Sequence, residues 1–355
     1  MTIFIAIVSL ILLIVLHELG HFLFAKKFGV RVDEFGIGYP PRLFGKKIGE
    51  TIYSWNLLPL GGFVKIYGHE ERIEDPRSFT TKPFWQKSII ILGGVAVFWV
   101  IAAVLLTAVL LIGAPSVVED YEVGNFKNPR VQIIEVAKGS PAFTAELKLG
   151  DIIKSINGVN VDKVIEVQEM SSENKGKEIV LTIQRGQKVF DVSLVLRQDY
   201  PSDQGPMGVA LFRTALKRTV WYKAPIDGIR ATGNLTVSIV KGWGVVLNSL
   251  FRGKGVPDGV EIKGAVGIFE LFNGVGSLGV SYFLQLVAII AISLALINSL
   301  PIPALDGGWF LFLVIEKIKG KPLNDKIIQR ISVVFFILLV ALMIWITVKD
   351  IISLF

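Results

Sequence analysis

Residues 2–27 read TIFIAIVSLILLIVLHELGHFLFAKK, an apolar stretch in which residues 2–25 contain only three ionisable side chains. As a helix, this stretch is long enough to cross about 30 Å of hydrocarbon, and Lys26 and Lys27 would anchor its cytoplasmic end. A secretory signal peptide would carry basic residues ahead of the apolar run and a small-residue cleavage site behind it. These residues show neither feature, so we expect a retained membrane-spanning helix.

The three ionisable side chains belong to the motif His17-Glu18-Leu19-Gly20-His21, which has the pattern H-E-x-x-H. On a helix, residues four positions apart share a face, so both imidazoles can reach one metal ion. Glu18 lies beside them and can accept a proton from a water molecule held there. A charged residue inside a span costs at least ~2.5–3.5 kcal/mol, and metal binding gives all three groups one shared reason to be there.

A catalytic zinc site has three protein ligands and one open position, so a third ligand is expected elsewhere in the chain. The sequence has no cysteine, which leaves His, Asp or Glu. Asp306 is the strongest candidate, because it lies where Pro301 and Pro303 must break the apolar run 282–315. Irregular backbone at membrane depth is tolerated where it lines a cavity, although the same aspartate could simply cap the next helix segment. The other candidates are Glu270, Glu316 and His69, the last in a polar loop where we expect it to be solvated.

A second polar residue, Asn298, stands at the start of the same break. Its amide could steady a developing oxyanion or hold a substrate backbone. It could equally satisfy a carbonyl group that the helix break leaves free. The sequence leaves both roles open.

The rest of the chain alternates between apolar stretches and polar segments. Of its 355 residues, 52% are hydrophobic and only 19% are charged, and the charges lie mainly outside the apolar runs. We expect further spans at 88–112, at 282–315 with a break near 298–308, and at 331–348. The basic loops after the first span and at 316–330 should be cytoplasmic, which places both termini and the segment between spans two and three outside. The net charge of +7 follows from these loops, and no motif indicates a nucleic-acid partner.

The polar segments differ in pattern. Residues 115–220 alternate as strands do and contain an Asn157-Gly158 turn, so we expect a small α+β domain there. Residues 51–67 place aromatic and β-branched residues around a Pro-Leu-Gly-Gly turn, which indicates a β-hairpin in contact with lipid or other spans. Residues 221–251 have the spacing of an amphipathic helix at the membrane surface, and the stretch after them is Gly-rich. The expected organisation is a membrane core at 1–113, the α+β domain at 115–220, a connector at 221–280 and a second membrane core at 281–355.

With these motifs the chain resembles the site-2 protease family of intramembrane zinc metalloproteases, over nearly its whole length. It is most similar to the bacterial subgroup that has an extracytoplasmic PDZ domain between spans two and three. The residues that carry the resemblance are HELGH at 17–21, LLPLGGFVK at 57–65 and NSLPIPALDGG at 298–308, together with GSPA at 139–142 and LGDIIKSING at 149–158.

The resemblance implies a polytopic α-helical membrane protein of about four transmembrane helices, with a membrane-associated β-hairpin and an inserted α+β PDZ domain. It implies that His17, His21 and Asp306 bind one Zn²⁺ per chain and that Glu18 is the catalytic base. The segment around Gly61, Gly62 and Phe63 would present an extended substrate. The site would lie in the bacterial cytoplasmic membrane, nearer its cytoplasmic face.

The resemblance also implies partners. The substrates would be single-span membrane proteins, such as anti-sigma factors, or remnant signal peptides within the lipid bilayer. An upstream site-1-type protease would first remove their outer domain.

Two features depart from the family pattern. Many relatives have Gly-Pro-x-x-Asn in span two where this chain has Gly-Gly-Val-Ala-Val at 93–97, and the single PDZ-like repeat predicts a weaker size filter than paired repeats would form.

Two other functions would use parts of the same pattern. A catalytically inert, membrane-tethered PDZ receptor would have no need of Glu18 inside a span. A metal transporter would need a polar path across several spans, whereas the second and fourth expected spans lack ionisable residues. The sequence therefore favours a protease.

Overall fold

A computed structural model describes residues 2–69, 71–121, 126–186, 188–201, 204–257, 264–276 and 279–352. The chain divides into two compact units. The membrane unit comprises Met1–Leu106, Pro225–Asn273 and Gln285–Phe355, and the sheet unit comprises Thr107–Ala224 and Gly274–Leu284. The elements are, in chain order, α1 (Thr2–Lys27), β1 (Val32–Ile48), β2 (Thr51–Ile66), α2 (Phe84–Ile112), β3 (Ala114–Val117), β4 (Phe126–Val136), α3 (Pro141–Thr144), β5 (Ile152–Ile156), β6 (Val159–Asn160), α4 (Val164–Glu173), β7 (Glu178–Arg185), β8 (Lys188–Val195), β9 (Val209–Lys217), α5 (Ala224–Phe251), α6 (Ala265–Gly276), α7 (Val280–Asn298), α8 (Asp306–Lys319) and α9 (Asp325–Ile352).

Four helices in the described part of the chain are long and apolar enough to cross a membrane. They are Ile3–Lys27, Phe84–Ile112, Val280–Asn298 and Asp325–Ile352, which match the four expected spans. The predicted break is confirmed, because α7 ends at Asn298 and α8 begins at Asp306. The prolines at 301 and 303 lie between the two helices, where a missing backbone donor removes no helical hydrogen bond.

Helices α1 and α2 approach each other closely at glycines. A methyl group added to Gly20 would lie 2.6 Å from the carbonyl oxygen of Gly93, and one added to Gly93 would lie 2.3 Å from the ring of Phe24. Only hydrogen fits at either position, as in other membrane helix pairs that pack through small residues. The lack of a side chain at Gly20 and Gly93 therefore lets α1 and α2 pack closely.

The β-hairpin expected within residues 51–67 is wrong in its residues, because residues 51–66 form the single strand β2, which pairs with β1. Strands β1 and β2 turn at Gly49 and Glu50, and Gly49 has a φ of +62°. The predicted Pro-Leu-Gly-Gly turn at 59–62 lies inside β2 instead. The register gives the reason: Phe35 of β1 pairs with both Tyr53 and Val64 of β2. The Pro-Leu-Gly-Gly segment therefore carries β2 from one edge of β1 to the other.

The sheet unit contains a sheet in the order β3-β9-β4-β5-β7-β8, with β6 beside β5. The predicted Asn-Gly turn connects β5 and β6, and both of its residues have positive φ, +51° at Asn157 and +81° at Gly158. The expected helix and the hairpin that follows it appear as α4 and β7–β8. Apolar residues of these strands, such as Ile133, Ile156 and Leu181, are fully buried in the core of this unit.

The connector is more helical than its glycine content predicted. The amphipathic stretch forms α5, as expected, but the Gly-rich stretch contains a further helix, α6. The start of α6 is capped from a distant helix: the amides of Gly264 and Gly267 both donate to the Asp350 carboxylate of α9, at 2.8 Å. A carboxylate at a helix N-terminus accepts hydrogen bonds from amides that have no partner within the helix. Its negative charge also interacts favourably with the positive end of the helix dipole. The capping residue is distant in the sequence, so the start of this helix could not be predicted from the residues around it.

Candidate metal centre

The two histidines of the H-E-x-x-H motif lie one turn apart on the same face of α1. Both are buried, with 7% of each residue exposed. Their rings meet edge to face with centroids 4.7 Å apart, and the two Nε2 atoms are 3.3 Å from each other. The helix therefore points two nitrogen ligands at one place, as the four-residue spacing predicts.

Asp306 completes this cluster from the first residue of α8. Its Oδ2 atom is 3.3 Å from Nε2 of His17 and 3.5 Å from Nε2 of His21. The chain reaches this position through a tight loop. Methyl groups on Gly307 and Gly308 would both lie 2.3 Å from backbone carbonyl oxygens of that loop. These two glycines are needed because no side chain fits between the loop and the helix start.

The three ligand atoms have the spacing of a zinc site. Ligands about 2.0–2.1 Å from a tetrahedral zinc lie about 3.3–3.4 Å from one another, and the observed separations are 3.3, 3.3 and 3.5 Å. The Oδ2 atom of Asp306 is buried without a hydrogen-bond partner among the described residues. An unpaired buried carboxylate oxygen is costly unless a cation satisfies it. His17, His21 and Asp306 are also the one group of three potential ligands within 4.8 Å of each other in the described part of the chain.

A backbone carbonyl fixes the orientation of His21. Its Nδ1 atom is 2.8 Å from the carbonyl oxygen of Ile90 on α2. Because a carbonyl only accepts, Nδ1 must carry the hydrogen, and Nε2 is left with its lone pair facing the cluster. Such an outer hydrogen bond is the usual support of a metal-binding histidine.

His17 is held differently. Its Nδ1 atom is buried and has no hydrogen-bond partner among the described residues, although the Gly94 backbone lies close by. The ring stacks instead on Phe98 of α2, with centroids 4.7 Å apart and planes 15° from parallel. Phe98 is 2% exposed, so the stack is rigid on both sides. Neither Phe98 nor Ile90 could be predicted from the sequence, because both act only through the packing of α1 on α2.

Gly94 of α2 lies directly against the cluster, and we expect Gly94→Ala to disrupt metal binding. The added methyl group would lie 2.3 Å from Nε2 of His21, the candidate ligand atom itself. We expect at least a tenfold loss of zinc affinity, the lower end of the 10–100-fold that lost second-shell support costs. The measurement is zinc retained by the purified protein against a series of chelator concentrations.

Gly233→Ala is the matched control, because nothing lies within 4 Å of a methyl group there on α5. Both changes raise intrinsic helix propensity equally, by about 1 kcal/mol, so propensity cannot explain a difference between them. Equal zinc retention in the two variants would show that Gly94 does not constrain His21.

Glu18 lies beside the cluster, in contact with β2. A methyl group on Gly62 would lie 3.6 Å from Cγ of Glu18 and 3.1 Å from the carbonyl oxygen of Gly36. Gly62 thus lies between Glu18 and β1 in a space that leaves little room for a larger side chain. The neighbouring Gly61 lies close to Ile14 of α1. The residues predicted to present substrate, Gly61 to Phe63, are therefore brought next to the predicted base.

The adjoining part of β2 has a free edge. Residues 62–66 pair with residues 32–37 of β1, and the two strands form a sheet to which no other described strand is added. The backbone groups on the far side of residues 62–66 thus have no strand partner among the described residues. An unpaired strand edge of this kind can accept an extended peptide by main-chain hydrogen bonds.

Two of the other candidate ligands, His69 and Glu316, lie outside the cluster. The sequence predicted a solvated His69, but the structure half-buries it, with its ring 4.9 Å from that of Phe79 and 4.3 Å from that of Trp309. Burial among these rings lowers the pKa of His69 to about 4. Glu316 is occupied by Arg72 and by the amide of Leu323. Glu270 belongs to α6, but its side chain lies outside the described residues.

Asn298 is at the C-terminal end of α7. Its Nδ2 atom donates to the carbonyl oxygen of Leu294 at 2.9 Å, within its own helix. Leu294 lies four residues back inside the helix, so this contact decides neither role considered for Asn298. The Nδ2 group has a second N–H, which can donate elsewhere while the first is bonded to Leu294.

Comparison with known proteins identifies the family of the chain. The sequence model of peptidase family M50 matches residues 5–342. A protein of Clostridium acetobutylicum, provisionally named a zinc metalloprotease, is 31% identical over 98% of this chain and 96% of its own length. The regulator of sigma-W protease RasP of Bacillus subtilis is 27% identical over 94% of both chains. A PDZ domain of an SdrC-like protein from Listeria monocytogenes covers 23% of this chain at 22% identity, with a TM-score of 0.21 that is too low to bear on the fold.

Proposed function

The chain belongs to peptidase family M50, the site-2 protease family, and from this membership we propose that it cleaves single-span membrane proteins within or beside the bilayer. It is a zinc metalloprotease, as its curated relatives are named. The observation that carries the proposal is the buried triangle of His17, His21 and Asp306, next to the carboxylate of Glu18.

In this proposal each residue of the site has one task. His17, His21 and Asp306 hold the zinc, which when bound acidifies water and polarises a carbonyl group. Glu18 accepts the proton of the attacking water and later delivers it to the leaving amine. Asn298 remains a candidate for the oxyanion, because its Nδ2 group has a second N–H besides the one that donates to Leu294.

The free edge of β2 supports an extended substrate. A transmembrane helix hides its carbonyl groups in hydrogen bonds, so a substrate must unwind before it can be cut. Once extended, it could pair with residues 62–66, which would place its backbone beside Glu18. The name of the Bacillus relative, a regulator of sigma-W, supports substrates of the anti-sigma-factor type. We further propose that an upstream site-1-type protease acts on them first.

A second candidate function is a membrane-tethered PDZ receptor without catalytic activity. A cavity of about 630 Å³ in the sheet unit favours some binding role for that unit. It lies between α4 and β9 and is lined by Gln168, Ser172, Val209 and Leu211, among others. Loss of cleavage in a Glu18 variant separates the two functions, because a receptor has no use for a base.

The proposed topology predicts which residues can be labelled from outside the cell. The chain has no cysteine of its own, so single cysteines can be introduced at exposed positions such as Ser172 and Lys47. We expect an impermeant thiol reagent to modify the first in intact cells and to leave the second unmodified, because basic loops stay in the cytoplasm. Labelling of both after lysis is the control. The opposite pattern in intact cells would invert the orientation proposed for the bacterial cytoplasmic membrane.

A further inference from the structure

A second cavity in the membrane unit lies where α2 begins and α8 ends, and it contains none of the residues of the metal centre. Its volume is about 350 Å³. It is lined by Arg72, Phe84, Lys87, Leu313, Glu316, Lys317, Gly320, Lys321 and Pro322. A smaller cavity of about 50 Å³ adjoins it and shares Arg72, Lys87, Leu313 and Glu316 with it.

The charge of this cavity is strongly unbalanced. Four cationic side chains line it, at positions 72, 87, 317 and 321, together with the carboxylate of Glu316. Arg72 is also paired with Asp325 at 2.9 Å, so the three lysines carry the excess positive charge. The Glu316 carboxylate is already occupied, since Arg72 and the Leu323 amide both donate to it. Lys87 and Lys321 make no ion pair with any described residue within 4.0 Å. The arrangement leaves room for an anion and positive charge to hold it.

The backbone at the start of α2 adds to the positive electrostatic potential of this cavity. Phe84 is the first residue of α2, a helix of 29 residues with no acidic side chain in its first turn. The first amides of a helix lack partners within the helix, and its dipole places partial positive charge there. Lys317 reaches across from α8 and lies over the Phe84 ring at 4.3 Å, so the two helices meet at this end of the cavity.

We propose that this cavity binds a phosphate group, and that its source is the headgroup of an anionic phospholipid. Phe84 and Leu313 supply apolar lining next to the cations, which suits the glycerol end of a lipid better than free phosphate. Trp85, which follows Phe84 in the chain and is 54% exposed, is of a residue type enriched at membrane interfaces. Basic pockets between membrane helices are known to take lipid headgroups in this way.

The same lysines could be merely solvated anchors of the spans, and a matched pair of variants distinguishes the two explanations. Lys87→Gln with Lys321→Gln removes two charges from the cavity lining. Lys319→Gln with Lys326→Gln removes two charges from the same region, and neither of these residues lines the cavity. General attraction to an anionic surface depends on the number of charges and treats the two double variants alike.

The experiment measures phosphatidylglycerol bound to the purified full-length protein, by native mass spectrometry from mixed phosphatidylglycerol and phosphatidylcholine micelles. We expect the wild-type protein and the Lys319/Lys326 variant to retain the anionic lipid equally. The Lys87/Lys321 variant should retain at most about a tenth of the lipid that the wild-type protein retains, since each lysine near such a surface contributes appreciably to binding. Zinc content and cleavage of a tagged substrate, unchanged in both variants, show that they are folded.

Two results would overturn the proposal. Equal losses in both double variants would mean that the lysines act as general surface charge and that no site exists. Displacement of the lipid by inorganic phosphate at comparable concentration would show that free phosphate is the ligand and would reject the lipid as its source.

Discussion

Replacing Glu18 by glutamine should abolish cleavage and leave the zinc in place. The amide keeps nearly the shape of the carboxylate but cannot accept a proton. Because Glu18 is not among the three clustered ligand atoms, metal binding should not change. General-base catalysis contributes about 10²–10⁴-fold, so we expect at least a hundredfold loss of turnover. The assay is cleavage of a tagged single-span protein in detergent, with zinc measured on the same preparations.

Asp306→Asn provides the contrast within the same site. It replaces a charged ligand by a neutral one, so it should weaken zinc binding as well as cleavage. Cleavage at the normal rate by the Glu18→Gln enzyme would reject the hydrolase mechanism and favour the PDZ receptor. Normal zinc binding by the Asp306→Asn enzyme would remove Asp306 from the ligand set without changing the enzyme class.

The double variant His17→Ala, His21→Ala should contain no zinc. Each histidine supplies one of three nitrogen or oxygen atoms that lie 3.3–3.5 Å apart, so the double variant retains a single carboxylate. One carboxylate cannot hold zinc against a chelator, because protein zinc sites use three or four ligands. The measurement is metal content per chain after dialysis, and the wild-type protein should hold about one zinc.

His69→Ala is the matched control for this loss. It removes the remaining histidine of the chain, which packs on Phe79 and Trp309 and takes no part in the cluster. The expected result is full zinc occupancy. Zinc retained by the His17/His21 double variant but lost from His69→Ala would move the metal centre to another part of the chain.

The local parts of this site could be predicted from the sequence because short-range geometry determines them. The four-residue spacing of His17 and His21 places them on one helix face whatever surrounds the helix. The prolines before Asp306 force a break, and a break inside an apolar run has to be buried in protein or line a cavity. These two arguments indicated all three residues that the structure brings together.

The remaining parts depend on contacts between distant residues. The Ile90 carbonyl and the Phe98 ring become partners of the histidines only after α2 packs on α1. The hairpin turn was misplaced because Pro-Leu-Gly-Gly is a strong turn signal, whereas in the structure it carries β2 across β1. Helix α6 was missed because its cap, Asp350, comes from α9.

The order in which the ligands occur along the chain has a consequence for biosynthesis. His17 and His21 are made early, but Asp306 follows His21 by 285 residues, as 306 minus 21. At about 5–20 residues per second, a ribosome needs roughly 15–60 s to cover that interval. During this time the first helix has only two of the three ligands proposed here. With that ligand set we expect that the nascent chain cannot cleave its neighbours until α8 arrives beside α1.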